Sequence, residues 1–210
     1  HNCLVGSEMC IRDRYWDYLN EALQEYTIGD PNLPKVDIGP IINKNSKDRL
    51  LAHISALNKS AKRTIKHHHK QDKGDLFITP IVFEIDSINQ IDEENFGPIL
   101  HFIRYKNENL QQVIDEINDT GYGLTMGVHS RIVSKARRIF EAANVGNFYF
   151  NRDIVGAVVG VQPFGGQGLS GTGPKAGGPG YLYNFVTEKT YTDNVMATGG
   201  NIELLNKNAM

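Results

Sequence analysis

The sequence has 210 residues, a formal net charge of -2, 40% hydrophobic and 22% charged residues, which allows one sizeable core and excludes a disordered chain. So small a net charge gives no bulk basic character for nucleic acid or a membrane surface. No apolar run approaches the roughly 18 residues that span a bilayer, and no secretory leader is visible.

The first 14 residues, HNCLVGSEMCIRDR, show no clear helical or strand period. The run GSEMCIRDR looks like translated sequencing-adapter sequence, so residues 1–14 are expected to be non-native or disordered. They hold the only cysteines, Cys3 and Cys10. Two thiols so placed form no disulfide framework, and a reducing, cytoplasmic setting is expected. From Tyr15 to Tyr26, Trp16, Leu19, Ala22 and Leu23 recur at helical spacing, and Gly29-Asp30-Pro31 ends that helix as a turn. Asn45 or Ser46 is expected to cap a second helix through Leu57, with Leu50, Leu51, Ile54 and Leu57 on one face. Leu76 to Ile85 reads as a strand with Pro80 as its one obstacle. Ile99 to Tyr105 is another strand, and Leu110 to Ile117 a helix ended by Asp119-Thr120-Gly121. Leu124 to Val128 reads as a short strand, Val133 to Ala143 as a helix, and Val145 to Phe150 as a buried strand. A glycine-rich loop runs from Asn151 to about Gly180, and Tyr181 to Val195 alternates like a final strand. Strands separated by helices of about ten residues imply an α/β fold with a mainly parallel, open twisted sheet and flanking helices.

Two segments carry chemistry. Glu93-Glu94-Asn95-Phe96-Gly97-Pro98 sets a carboxylate and an aromatic face beside a rigid turn. A carboxylate can accept from both hydroxyls of a ribose, and an aromatic ring can pack on a flat cofactor ring. The plainer reading, an acidic loop with a core phenylalanine, is the one the pattern alone favours. Asn151 to Gly173 carries seven glycines. Glycines let backbone N–H groups approach a ligand, and successive N–H groups form an anion-binding nest. It is neither a dinucleotide fingerprint nor a Walker loop. The internal run His67-His68-His69 reads as a solvated stretch, because neighbouring side chains point apart and do not converge on one metal.

Glu94-Asn95-Phe96-Gly97-Pro98 resembles the E-x-F-G-P signature of aldehyde dehydrogenases, and Gln162-Pro163-Phe164-Gly165-Gly166 resembles their P-F-G-G turn. Val155-Gly156-Ala157-Val158-Val159-Gly160, the run from Gly173 to Pro179, the stretch TGYGLTMGVHSRI and the tail ATGGN look like pyrroline-5-carboxylate dehydrogenases, above all the dehydrogenase module of bifunctional proline utilization A (PutA) proteins. The resemblance runs from about Tyr15 to the end. It implies that residues 15–180 are the C-terminal part of an aldehyde dehydrogenase catalytic domain, lacking most of the NAD-binding domain. Residues 181–210 would form a C-terminal strand and tail that pairs with a partner in a homo-oligomer.

The resemblance also implies roles. Glu94 would hold the nicotinamide ribose of NAD, and Phe96 would pack beside the nicotinamide. Gly156 and Ala157 would bind the α-carboxylate of glutamate semialdehyde through backbone N–H groups, and Phe164 would pack on its aliphatic stem. The implied chemistry is covalent. A cysteine thiolate attacks the aldehyde, hydride passes to NAD, and water activated by a glutamate base releases glutamate from the thioester. FAD would belong only to a fused proline dehydrogenase half, which is absent here.

The departures are specific. The family's nucleophile sits in a G-Q-R-C-like motif upstream of the helix that precedes the G-D-P turn, and Cys10 lies too close to that helix to match it. The general-base glutamate and oxyanion asparagine have no candidate either, so no catalytic residue is assigned and the isolated chain is expected to be inactive. Two other readings stay open: a carboxylate-binding or assembly protein on the same scaffold, and an aldehyde dehydrogenase for another semialdehyde.

Overall fold

In the computed structural model, residues 8–68, 74–158 and 160–194 are described. Cys3, His69, Val159, Val195 and the tail ATGGN lie outside the described residues. The chain divides into two units, residues 1–119 and 120–210.

The first unit opens with helix α1, Glu8–Glu25, which starts seven residues before the expected Tyr15. No Pro or Gly interrupts Glu8 to Arg14. A nucleated helix gains one hydrogen bond per added residue, so it propagates into a segment without a period of its own. Trp16 and Leu23 of α1 are buried with Ile65 and Val82, and the Trp16 ring meets Phe102 edge-on at 5.7 Å.

Helix α2, Lys44–Ser60, is capped by Asn43, whose side chain accepts from Ser46 N at 2.8 Å. The cap therefore sits ahead of Asn45 and Ser46, because only an extended residue three places before a free N–H can reach it. Leu50 and Leu57 are buried, whereas Leu51 is 44% exposed and falls off the core face.

Three strands follow: β1, Arg63–Lys66, β2, Ile81–Ile85, and β3, Ile99–Ile103. β1 runs antiparallel to β2 with Ile65 opposite Val82, and β2 runs parallel to β3 with Ile81 opposite Ile99. The strand expected from Leu76 begins only after Pro80, which has no N–H for a central ladder. All five residues of β2 are buried, as a strand with neighbours on both sides requires. Its one charge, Glu84, is 5% exposed and meets Arg104 Nε at 2.8 Å and Arg63 Nε at 3.2 Å. A buried carboxylate persists only when so paired. Helix α3, Leu110–Asp119, closes the unit.

The second unit pairs β4, Tyr122–Gly123, with β7, Gln167–Gly168, antiparallel. It pairs β5, Thr125–Val128, with β6, Asn147–Phe150, in parallel. Between β5 and β6 lies helix α4, Val133–Ala142. Phe140 of α4 meets Phe148 of β6 edge-on at 5.4 Å, so one face of β6 packs on the helix. On its other face, Asn147 and Tyr149 are buried at 9% and 5% exposure. The segment expected as a final strand begins with a 3-10 helix, Tyr181–Phe185, and residues 186–194 join no ladder among the described residues. A strand satisfies its backbone only against another strand, and the described residues offer the segment none.

Candidate functional site

In the first unit, Glu93 to Pro98 forms the last part of the link between β2 and β3. Pro98 O accepts from Ile81 N at 3.0 Å, Gly97 O accepts from Ile99 N at 2.8 Å, and Asn95 Nδ2 donates to Glu93 O at 2.8 Å. The turn rests on α2. A Cβ at Gly97 would stand 2.6 Å from Leu50 Cδ1, so the absence of a side chain lets the turn close over that leucine. The turn, the segment Asp37 to Ile42 and Ser46, Arg49 and Leu50 of α2 enclose a cleft of about 600 Å³. Glu94 and Phe96 both line it. Phe96 is 80% exposed, so it is not the core phenylalanine of the plainer reading. Phe96 therefore offers its ring to solvent in the cleft that Glu94 also lines.

Behind the same turn lies a pair that sequence reasoning missed. His53 of α2 and His101 of β3 share a hydrogen bond between their Nε2 atoms at 2.8 Å, with rings edge-on at 5.1 Å. Burial pushes the pKa of His53 down, while Asp92 and Glu93 pull it back up. Burial also lowers that of His101, and His53 lowers it further. The signal was available: His53 lies three residues after Leu50 and four before Leu57, on the core face of its helix. Among the described residues, no group of three or more His, Cys, Asp or Glu could hold a metal ion.

In the second unit, the loop after β6 starts at Asn151, which takes a left-handed φ of 55°, a conformation asparagine tolerates. Its side-chain amide bonds both backbone groups of Ser130, at 2.9 and 3.0 Å. Gly156 has φ 65°, and a Cβ there would meet nothing within 4 Å. Glycine is needed there for conformation, not for space. Gly156 O accepts from Tyr149 Oη at 2.8 Å. Among the described residues, no group accepts from the N–H of Gly156 or Ala157. The loop thus presents two successive amide donors, and such donors bind carboxylates.

Phe164 is half-buried and exchanges backbone hydrogen bonds with Ala176, both at 3.0 Å. Asn147 Nδ2 donates to Pro163 O at 3.0 Å, and Asn147 Oδ1 accepts from Gly165 N at 3.2 Å. Gly146 packs directly on this turn, since a Cβ there would be 1.8 Å from Gly165 O. Within the loop, a Cβ at Gly166 would be 2.3 Å from Ser170 O and one at Gly168 2.3 Å from Gly121 O, so these glycines serve backbone-to-backbone packing. The five residues singled out in the sequence form two groups: Glu94 and Phe96 share the cleft of the first unit, and Gly156, Ala157 and Phe164 lie on the β6 loop of the second.

The family model for the aldehyde dehydrogenase family matches residues 2–191. The chain belongs to the aldehyde dehydrogenase family. It is 41% identical over 198 residues to the bifunctional protein PutA of Klebsiella aerogenes, a match that covers 89% of this chain and 15% of that protein. The crystal structure of a Bradyrhizobium japonicum PutA mutant superposes with a TM-score of 0.79 at 48% identity, over 90% of this chain and 19% of that one. A 1-pyrroline-5-carboxylate dehydrogenase from Thermus, solved with bound NAD, gives a TM-score of 0.69 at 36% identity, over 81% of this chain and 33% of that one. The chain therefore spans only a minor part of the length of these relatives. The likeness bears out the aldehyde dehydrogenase fold, and with it the α/β reading of the sequence.

Proposed function

We propose that this chain is the C-terminal part of an NAD-dependent dehydrogenase that oxidises L-glutamate γ-semialdehyde to L-glutamate in proline catabolism, in the cytoplasm. The observation that carries the substrate is the loop at Gly156 and Ala157. Two successive N–H groups, without an acceptor among the described residues, sit on a left-handed turn tethered by Tyr149, in a chain whose relatives include PutA and pyrroline-5-carboxylate dehydrogenases. An α-carboxylate needs several convergent donors, and these amides supply them. Phe164 offers an apolar face for the aliphatic stem.

The donor set of the first-unit cleft fits NAD. Glu94 would accept from the hydroxyls of the nicotinamide ribose and Phe96 would flank the nicotinamide. When bound, NAD supplies the hydride acceptor. The residues of this chain bind and orient. The nucleophile and base are the family's upstream residues, and Cys10 is not that nucleophile. Residues 15–180 are then the C-terminal part of the catalytic domain, and residues 181–210 the tail through which a second copy joins in a homo-oligomer.

The 210-residue chain alone, supplied with glutamate semialdehyde and NAD, is expected to form no NADH above background. NADH formation that Cys10→Ala abolishes would overturn this. The substrate is tested on the complete protein from the source locus, recovered by reading the codons upstream of Tyr15. A higher kcat/KM for glutamate semialdehyde than for succinate semialdehyde supports the assignment, and the reverse order refutes it.

A further inference from the structure

β6 reads Asn-Phe-Tyr-Phe, and its two inward-facing residues are polar. Strands bury apolar side chains at such positions unless the polar groups have partners. Both partners here belong to the loop assigned to substrate. Tyr149 Oη donates to Gly156 O at 2.8 Å. Asn147 bonds Pro163 O and Gly165 N, the two backbone groups that flank Phe164.

The Tyr149 contact acts through covalent geometry. Gly156 O and Ala157 N–H belong to one peptide unit. In a planar trans peptide the C=O and N–H point in opposite directions. A hydroxyl that fixes the oxygen therefore aims the N–H away from β6. Among the described residues no atom lies within 4 Å of a Cβ built at Gly156, so that side of the loop gives the peptide no support. A hydrogen bond accepted by the oxygen also polarises the unit and strengthens its N–H as a donor. The tyrosine ring is itself seated, with the Arg152 guanidinium 4.5 Å from its centroid.

We propose that Tyr149 and Asn147 are positioning residues of the substrate site. Tyr149 orients the Gly156–Ala157 peptide so that its N–H meets the carboxylate, and Asn147 holds the Pro163–Gly165 turn that presents Phe164. The inference rests on the reading of Gly156 and Ala157 as the carboxylate site. It divides recognition between the two side chains: Tyr149 governs the charge of the substrate, Asn147 its apolar stem.

The test uses the complete enzyme and two aldehydes, glutamate semialdehyde and propionaldehyde, which lacks the carboxylate. Tyr149→Phe keeps the ring and removes only the hydroxyl. It should raise KM for glutamate semialdehyde about tenfold, as expected for weakening one charge-assisted hydrogen bond. KM for propionaldehyde and for NAD should stay put, with kcat little changed. Asn147→Ser should raise KM for both aldehydes. An unchanged KM for the semialdehyde in Tyr149→Phe, or an equal rise for both aldehydes, overturns the role of Tyr149. If Tyr149→Phe fails to fold, Asn147→Ser decides: a rise in KM for both aldehydes with KM for NAD unchanged upholds the division of roles, and any other pattern overturns it. A wild-type enzyme that does not favour the carboxylated aldehyde removes the substrate reading itself, and this inference with it.

Discussion

Replacing Gly97 by alanine tests how the Glu93–Pro98 turn is seated. The added methyl would stand 2.6 Å from Leu50 Cδ1 and 3.0 Å from Cδ2. Leu50 is 2% exposed and packs with Ile41 and Ile78, against Ile54 and Ile99, so it has little room to turn away. Either Leu50 leaves its rotamer or the turn lifts from α2, and overpacking of this kind costs about 1–3 kcal/mol. Leu50→Ala, by contrast, empties the same place and costs about 2–5 kcal/mol as a cavity. The two changes are complementary, because the alanine methyl at residue 97 occupies part of the space that Leu50 vacates. Urea unfolding of the four members of the cycle should then give a coupling energy of about 1 kcal/mol or more, with Gly97→Ala nearly harmless in the Leu50→Ala background. Equal costs in both backgrounds would refute the contact as the reason for glycine.

Three further outcomes follow from the same structure. Burial holds the pKa of both His53 and His101 below the ordinary value of 6.5, so below that pH the unfolded chain binds more protons than the folded one. Stability is full above about pH 6.5 and falls as pH drops through the window beneath it; the urea midpoint should fall from about pH 7.5 to 5.5, and His53→Asn with His101→Asn should flatten that slope, an unchanged slope counting against the pair. Glu94→Gln in the complete enzyme should raise KM for NAD about tenfold through weaker ribose hydrogen bonds while the melting temperature holds, and an unaltered KM for NAD would remove Glu94 from the cofactor site. Phe96, Leu182, Tyr183, Phe185 and Tyr191 are each more than 70% exposed, so the isolated chain should self-associate in sedimentation velocity; a single monomeric boundary across a concentration series would contradict this.

What the sequence disclosed follows from how local each signal is. Helices α3 and α4 and strands β3, β5 and β6 came from side-chain period and turn residues, and each lies within a few residues of its expected place. β1 escaped because Arg63–Lys66 holds one apolar residue, Ile65; its pairing with β2 and the ion pair of Arg63 with Glu84 define it, and neither is local. The same holds for the His53 and His101 pair, 48 residues apart. The start of α1 was misplaced because propagation needs no period. The site motifs were legible as short strings, yet the strings did not tell cofactor contact from core packing. The exposure of Phe96 and the close seating of Gly97 on Leu50 depend on the fold around the turn, which no short string encodes.

Strand β6 shows how polar residues can hide inside an element. Its pattern reads as an aromatic strand, and Phe148 fits that reading by packing on Phe140 of α4. Asn147 and Tyr149 do not, since a buried amide and a buried phenol lower stability unless their polar atoms are satisfied. Among the described residues, every hydrogen bond of these two side chains goes to the loop residues Gly156, Pro163 and Gly165. Hydrogen bonds aimed at a loop from a strand it follows add rigidity where a flexible segment would otherwise spend entropy on binding. A polar residue at an inward strand position just before a glycine-rich loop is thus a usable sequence signal. It marks the strand as the fixed base against which the loop's amides are aimed.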